Sequence, residues 1–181
     1  MGLDMYLSVQ VGNDKPENYW ELEGNGGVKY VSKWRFEGPE AEAEYDAVMA
    51  DTGLADLVTE DSPSAFVWPG GAEVTACYWR KSNAIHAWFV DTCQDGIDEC
   101  QRTEVDVEQL AYLIALCEKE LADPENAGGI LTPRSGFFFG NTDIDEWYFM
   151  DLRHTVERLT FVIQYVVTNL PGAKFFYHSS W

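Results

Sequence analysis

A chain of 181 residues, 46% apolar and 14% aromatic, can bury roughly two thirds of its unfolded surface in one core. Its 31 acids against 12 Lys and Arg give a formal charge of −19, which opposes direct binding to nucleic-acid backbones or anionic membranes. No run approaches the ~18–20 apolar residues of a membrane span and no basic leader precedes an apolar stretch, so the expected setting is soluble and cytoplasmic.

Residues 3–11 (LDMYLSVQV) alternate and carry β-branched and aromatic side chains, which predicts a strand. Residues 12–27, rich in Gly, Asn and charge, predict a long loop. A second strand is expected over 28–36, with Lys29, Lys33 and Arg35 on one parity and Tyr30, Ser32, Trp34 and Phe36 on the other. Pro39 suits a first helical position, and Ala41, Tyr45, Val48 and Met49 recur at helical spacing before Gly53. Glu37, Glu40, Glu42, Glu44, Asp46, Asp51 and Asp56 surround that stripe, and no Lys or Arg occurs between Arg35 and Arg80. Such a run is either a solvated helix face or a surface that offers negative charge to a basic partner.

A third strand is expected over 72–80 and a helix from about Ser82 to Thr92, followed by a turn through Gln94, Asp95 and Gly96. Asp106 as N-cap and Gln109 three residues on predict a capped helix whose stripe is Val107, Leu110, Ile114, Cys117 and Leu121. It ends at Asp123-Pro124, and 124–135 predict a Pro/Gly loop. Residues 135–140 (SGFFFG) read as a short apolar strand or turn. Thr142 is the expected cap of a last helix that reaches about Asn169, with Asp143, Asp145 and Glu146 in its positive first turn. Pro171-Gly172 then turns the chain into a final strand, KFFYHSSW. Strands thus come early, in the middle and last, without a regular βαβ repeat. The expectation is one α+β domain over 1–181, a mostly antiparallel sheet with three to four helices mainly on one face. Residues 37–70 form an acidic, insertion-like helix and loop segment within it.

Arg80 and Lys81 are adjacent cations before a helix start in a chain short of cations. With Asn83 and His86 on the next turn they could converge on one anion, with aromatic walls from Phe138, Tyr177 and Trp181. The plainer alternative pairs Arg80 with a local carboxylate and leaves the rings to complete the core. No G-x-S-x-G, Walker loop, G-x-G-x-x-G or H-E-x-x-H occurs, so no catalytic residue is assigned. His86, His154 and His178 have no ligand spacing, and the acidic turn around Asp98 is not an EF-hand loop; no metal or other cofactor is expected. Cys77, Cys93, Cys100 and Cys117 lack paired knuckles and are expected as thiols.

The chain resembles a functionally uncharacterised family of small acidic proteins found mostly in phages, prophages and bacteria. The likeness rests on MGLDMYL at 1–7, YWRKxNxIHxWFV at 78–90, QDGxDxC at 94–100, SGFFFGxT from Ser135, and YxSSW at 177–181. Gln101 stands where such proteins usually have Gly, and the likeness does not extend over about 37–70. It implies a phage or prophage setting, in a host cytoplasm, and transfers no activity. Two function classes follow as expectations. One is an acidic binding protein, such as a host-defence inhibitor, that mimics nucleic acid and occupies a basic site on a host protein. The other binds a small anionic ligand such as a nucleotide, or acts on it as a small enzyme, near Arg80 and His86.

Overall fold

The alternating N-terminal segment forms the central strand of a six-stranded sheet. The computed structural model describes residues 2–16, 29–32, 39–59, 64–136 and 139–181. Strand β1 (Asp4–Gly12) is flanked by β4 (Gly71–Arg80) and β6 (Lys174–Ser180). Outside these lie β3 (Ser64–Trp68) and β2 (Lys29–Ser32) on one side and β5 (Thr103–Val105) on the other. The order β2-β3-β4-β1-β6-β5 is antiparallel at every pairing. The chain is therefore a single α+β unit with a fully antiparallel sheet.

Among the described residues four helices complete it: α1 (Pro39–Thr52), α2 (Asn83–Cys93), α3 (Val107–Ala122) and α4 (Glu146–Asn169). Met5, Leu7 and Val9 of β1 share a sheet face with Trp79, Cys77, Tyr177 and Phe175 of the neighbouring strands, and all are buried. Helices α2 and α4 close over this face: Phe89 stacks on Tyr177 at 3.9 Å, and Trp79 Nε1 donates to Thr155 Oγ1 at 2.9 Å. Helix α3 lies against α4, its Leu110, Leu113 and Cys117 in the same core as Leu159, Val162 and Val166. No helix among the described residues is long and apolar enough to cross a membrane.

Strand β4 does not keep a simple alternation. The register against β1 slips between Leu7 and Ser8, which pair with Cys77 and Thr75, so Ala76 is the extra residue of a β-bulge. The flip lets Ala72 and Val74 face the core on one side of the bulge and Cys77 and Trp79 on the other. The carbonyl of Ala76 accepts from Arg158 Nε at 2.6 Å, and Arg158 also donates to the carbonyl of Leu57. One guanidinium from α4 thus joins the bulge to the 3₁₀ turn at Ala55–Leu57. The opposite sheet face is polar and aromatic. There Glu73, 5% exposed, pairs with Lys15 and Arg102, the Arg102 guanidinium lies over Phe176, and Tyr6 stacks on His178.

Several boundaries differ from the sequence reading. Strand β3 lies inside the segment expected as an insertion-like helix and loop, and its pairing with β2 and β4 makes that segment part of the sheet. Tyr45, Met49, Leu54 and Leu57 from the same segment are core residues. Pro69 and Gly70, the latter at φ +86°, form the two-residue link between β3 and β4. Helix α2 starts at Asn83, and Ser82 makes no side-chain cap. Asp145, not Thr142, caps α4, accepting from the N–H groups of Trp147 and Tyr148 at 2.9 and 3.2 Å. Asp106 and Gln109 do form the expected capping box. Strand residues expected over 33–36 lie outside the described residues.

Replacing Arg158 by Met leaves the Ala76 and Leu57 carbonyls without their donor in a part-buried site. Urea unfolding should show a loss of about 2–3 kcal/mol. A change within about 0.5 kcal/mol, the usual range for surface substitutions, contradicts a structural role for this contact.

Candidate functional site

The 78–90 motif spans the end of β4 and all but the last turn of α2, and its members separate at that junction. Alternation sends Trp79 inward and Arg80 outward, so Arg80 is exposed on the polar sheet face, 4.0 Å from the Asp4 carboxylate. Lys81 follows with φ +60°, and its side chain runs past Gly2 and Gly140. Asn83 is buried, and its Nδ2 donates to the carbonyls of Phe139 at 3.2 Å and Asn141 at 2.6 Å. That pins the 139–141 turn onto the start of α2.

One turn on, His86 is fully buried with both ring nitrogens engaged. Its Nδ1 lies 2.7 Å from the Tyr177 hydroxyl and its Nε2 3.0 Å from Asp98 Oδ2. Burial lowers the His86 pKa against the pull of Asp98, and burial holds Tyr177 well above its ordinary value. A neutral ring whose Nε2–H donates to Asp98 and whose Nδ1 accepts from Tyr177 satisfies every partner. Trp181, 45% exposed, extends the chain by donating Nε1–H to Asp98 Oδ1 at 3.2 Å and meets Phe139 edge-on at 6.1 Å. His86, Tyr177 and Trp181 are thus brought together, with Phe139 on the His86 ring at 5.0 Å; Phe138 lies outside the described residues. With its buried ring bonded at both nitrogens, this cluster joins α2 to the C-terminal strand.

A cavity of about 50 Å³ opens on the other side of the α2 start. Lys81, Ser82 and Asn83 form one wall, and Asn141, Asp143, Asp145, Trp147 and Asp151 form the other. Burial, with a smaller contribution from the charge of Asp145, raises the Asp151 pKa to about 6. Ser82 is 2% exposed and lies close enough to Asp151 to temper that rise, yet its hydroxyl meets no partner in good hydrogen-bond geometry. The sequence places Ser82 at the helix start on the polar face of Asn83 and His86, but it does not single out Asp151. Asp151 lies one turn before the helix-bonded Thr155, and only the fold shows that it faces α2. Among the described residues no group of three or more His, Cys, Asp or Glu is arranged to hold a metal ion. All four cysteines are free, and burial pushes the Cys93 and Cys117 thiols up to about 12.

The acidic candidates lie elsewhere. Glu42, Glu44, Asp46 and Asp51 on α1 are exposed, as is Asp56 beyond it. Glu37 and the side chain of Glu40 lie outside the described residues. Lys29 pairs with Glu44 at 2.5 Å across two exposed side chains, a contact worth little in water. Among the described residues Glu42, Asp46 and Asp51 have no ion-pair partner. The chain matches no family model, no curated protein and no solved structure.

Two outcomes test this geometry. Tyr177→Phe leaves His86 Nδ1 without a donor in a fully buried site and should destabilise the fold by about 1–3 kcal/mol in urea unfolding; an unchanged midpoint contradicts the assigned hydrogen bond. For Asp151 the folded pKa of about 6 exceeds the ordinary 3.8. Between those values the folded state holds more protons, so this group lowers stability as pH rises from about 4 to 6 and keeps it lowered above. Asp151→Asn should therefore stabilise the protein at pH 7, by about 1–2 kcal/mol once solvent screening is allowed for, and give no gain below pH 4. A gain independent of pH, or a loss at pH 7, contradicts it.

Proposed function

We propose that this is a phage- or prophage-type acidic binding protein, acting in the host cytoplasm, whose α1 surface occupies a basic, nucleic-acid-binding site on a host protein. The observation that carries the reading is the exposed set Glu42, Glu44, Asp46 and Asp51 on one helix that contains no cation. The core of α1 is anchored by Tyr45 and Met49, so its charges are presented from a fixed support. A net charge of −19 adds long-range attraction for a basic partner and speeds encounter. The motif likeness to phage and prophage proteins supports the setting. The alternative, a nucleotide held near Arg80 and His86, fits less well. Arg80 and His86 lie on opposite sides of the sheet, and the cavity beside Lys81 is walled by three aspartates and is far smaller than the ~300 Å³ and upward of small-molecule sites.

The test starts from native purification out of an infected or lysogenic host, with the recovered partner then prepared pure. Binding should weaken at least tenfold when Glu42, Glu44, Asp46 and Asp51 are changed together to Gln or Asn. It should weaken similarly between 0.1 and 0.5 M salt, as the screening length falls below its ~10 Å value at 0.1 M. Affinity indifferent to both changes overturns the reading.

A further inference from the structure

We propose that the cavity between the starts of α2 and α4 is a socket for the ammonium group of a lysine carried by a partner protein, with Trp147 covering the lysine stem. The wall carries three carboxylates, Asp143, Asp145 and Asp151, against one cation, Lys81. Lys81 forms no ion pair among the described residues; its side chain passes Gly2 and Gly140 and leaves the carboxylates uncompensated. Two of the three are partly committed: Asp145 Oδ1 caps α4, and Asp143 Oδ2 accepts from Asn141. Asp151 and the second oxygen of Asp145 remain as acceptors.

The second, independent observation is Ser82. Its hydroxyl is buried on the cavity wall without a hydrogen-bond partner, an arrangement that loses stability unless something in the cavity bonds to it. An ammonium has three donors and no acceptor, which suits Asp151, Asp145 and the Ser82 oxygen together. The shape of the charge selects the same group. The cavity is small, about 50 Å³, and its acceptors come from separate residues, which suits the compact point charge of an ammonium better than the rigid planar fork of a guanidinium.

The rim argues for a protein partner over a free amine. Trp147 is 71% exposed beside the cavity, and Ile144 and Met150, three residues to either side, are 39% and 47% exposed. An indole over the mouth can cover a methylene stem and face its cation, and the flanking apolar side chains offer contact to residues next to that lysine. Two features oppose a cation, the positive end of α2 and the charge of Lys81; the carboxylates outnumber them at neutral pH. The socket is independent of the acidic α1 surface. Helix α1 adjoins the other end of α4, where Tyr165 donates to the Gly53 carbonyl, and the 18 residues from Trp147 to Tyr165 span about 27 Å of helix.

The full chain, labelled with ¹⁵N, is titrated with acetyl-Ala-Leu-Lys-Ala-amide while the Trp147 indole and Ser82 amide resonances are followed. The lysine peptide should shift both saturably, and its norleucine counterpart should bind at least tenfold more weakly. Asp151→Asn and Trp147→Ala should each weaken the lysine peptide at least fivefold, and the bound peptide should move the Asp151 carboxyl titration to lower pH. Neutralising Glu42, Glu44, Asp46 and Asp51 should change this affinity less than twofold, so failure here is separable from failure of the α1 reading. Equal binding of the norleucine peptide, affinity unchanged in Asp151→Asn, or spermidine binding as tightly as the peptide overturns the assignment.

Discussion

The packing of this protein depends on one irregularity, the extra residue Ala76 in β4. A strand with strict alternation can present only every second residue to a core. Here Ala72 and Val74 meet the core below the bulge, and Cys77 and Trp79 meet it above, because the slip changes parity between them. The device frees a carbonyl, and Arg158 occupies it from the helix that Trp79 also touches through Thr155. Sheet, long helix and the 3₁₀ turn after α1 are therefore tied at one guanidinium. Burial lowers the Arg158 pKa, and two backbone carbonyls hold its charge.

The two sides of the α2 start follow opposite electrostatic designs. On one side every polar atom around His86 is matched, from Tyr177 through the ring to Asp98 and Trp181, and the result is a rigid joint. On the other, the Ser82 hydroxyl lacks a hydrogen bond of good geometry and burial raises the Asp151 carboxyl pKa, each at a cost to the fold. Buried polar groups in folded proteins are almost always satisfied. Among the described residues Ser82 is one of the few exceptions, and it lies on the cavity wall.

Much of the architecture was legible because it rests on long, regular signals. The alternation of β1 and the apolar stripe of the 24-residue α4 repeat their periods several times, and the Asp106–Gln109 box marks the start of α3 with a local signature. Strands β3 and β5, five and three residues long, offer too few repeats to register. The cap of α4 was displaced from Thr142 because several adjacent residues can cap and only backbone geometry chooses among them. At the site, residue types pointed to the 78–90 segment, but not to its division between two sheet faces. Asp151 was invisible, and so was its placement beside Ser82, since the two lie nearly seventy positions apart.

The placement of β1 between β4 and β6 shapes how the molecule can assemble. The first strand made must wait for residues 174–180 before its second edge is paired, and β5 has no partner until β6 is in place. Pairings between segments so distant along the chain raise contact order and slow folding relative to a protein of local contacts. During synthesis the helices can form early, while β1 keeps one bare edge of backbone donors and acceptors until the last strand emerges. An unpaired hydrophobic edge is a template for association. In this chain the dense negative charge doubles as protection for that interval, because growing chains that repel one another have less opportunity to pair edge to edge.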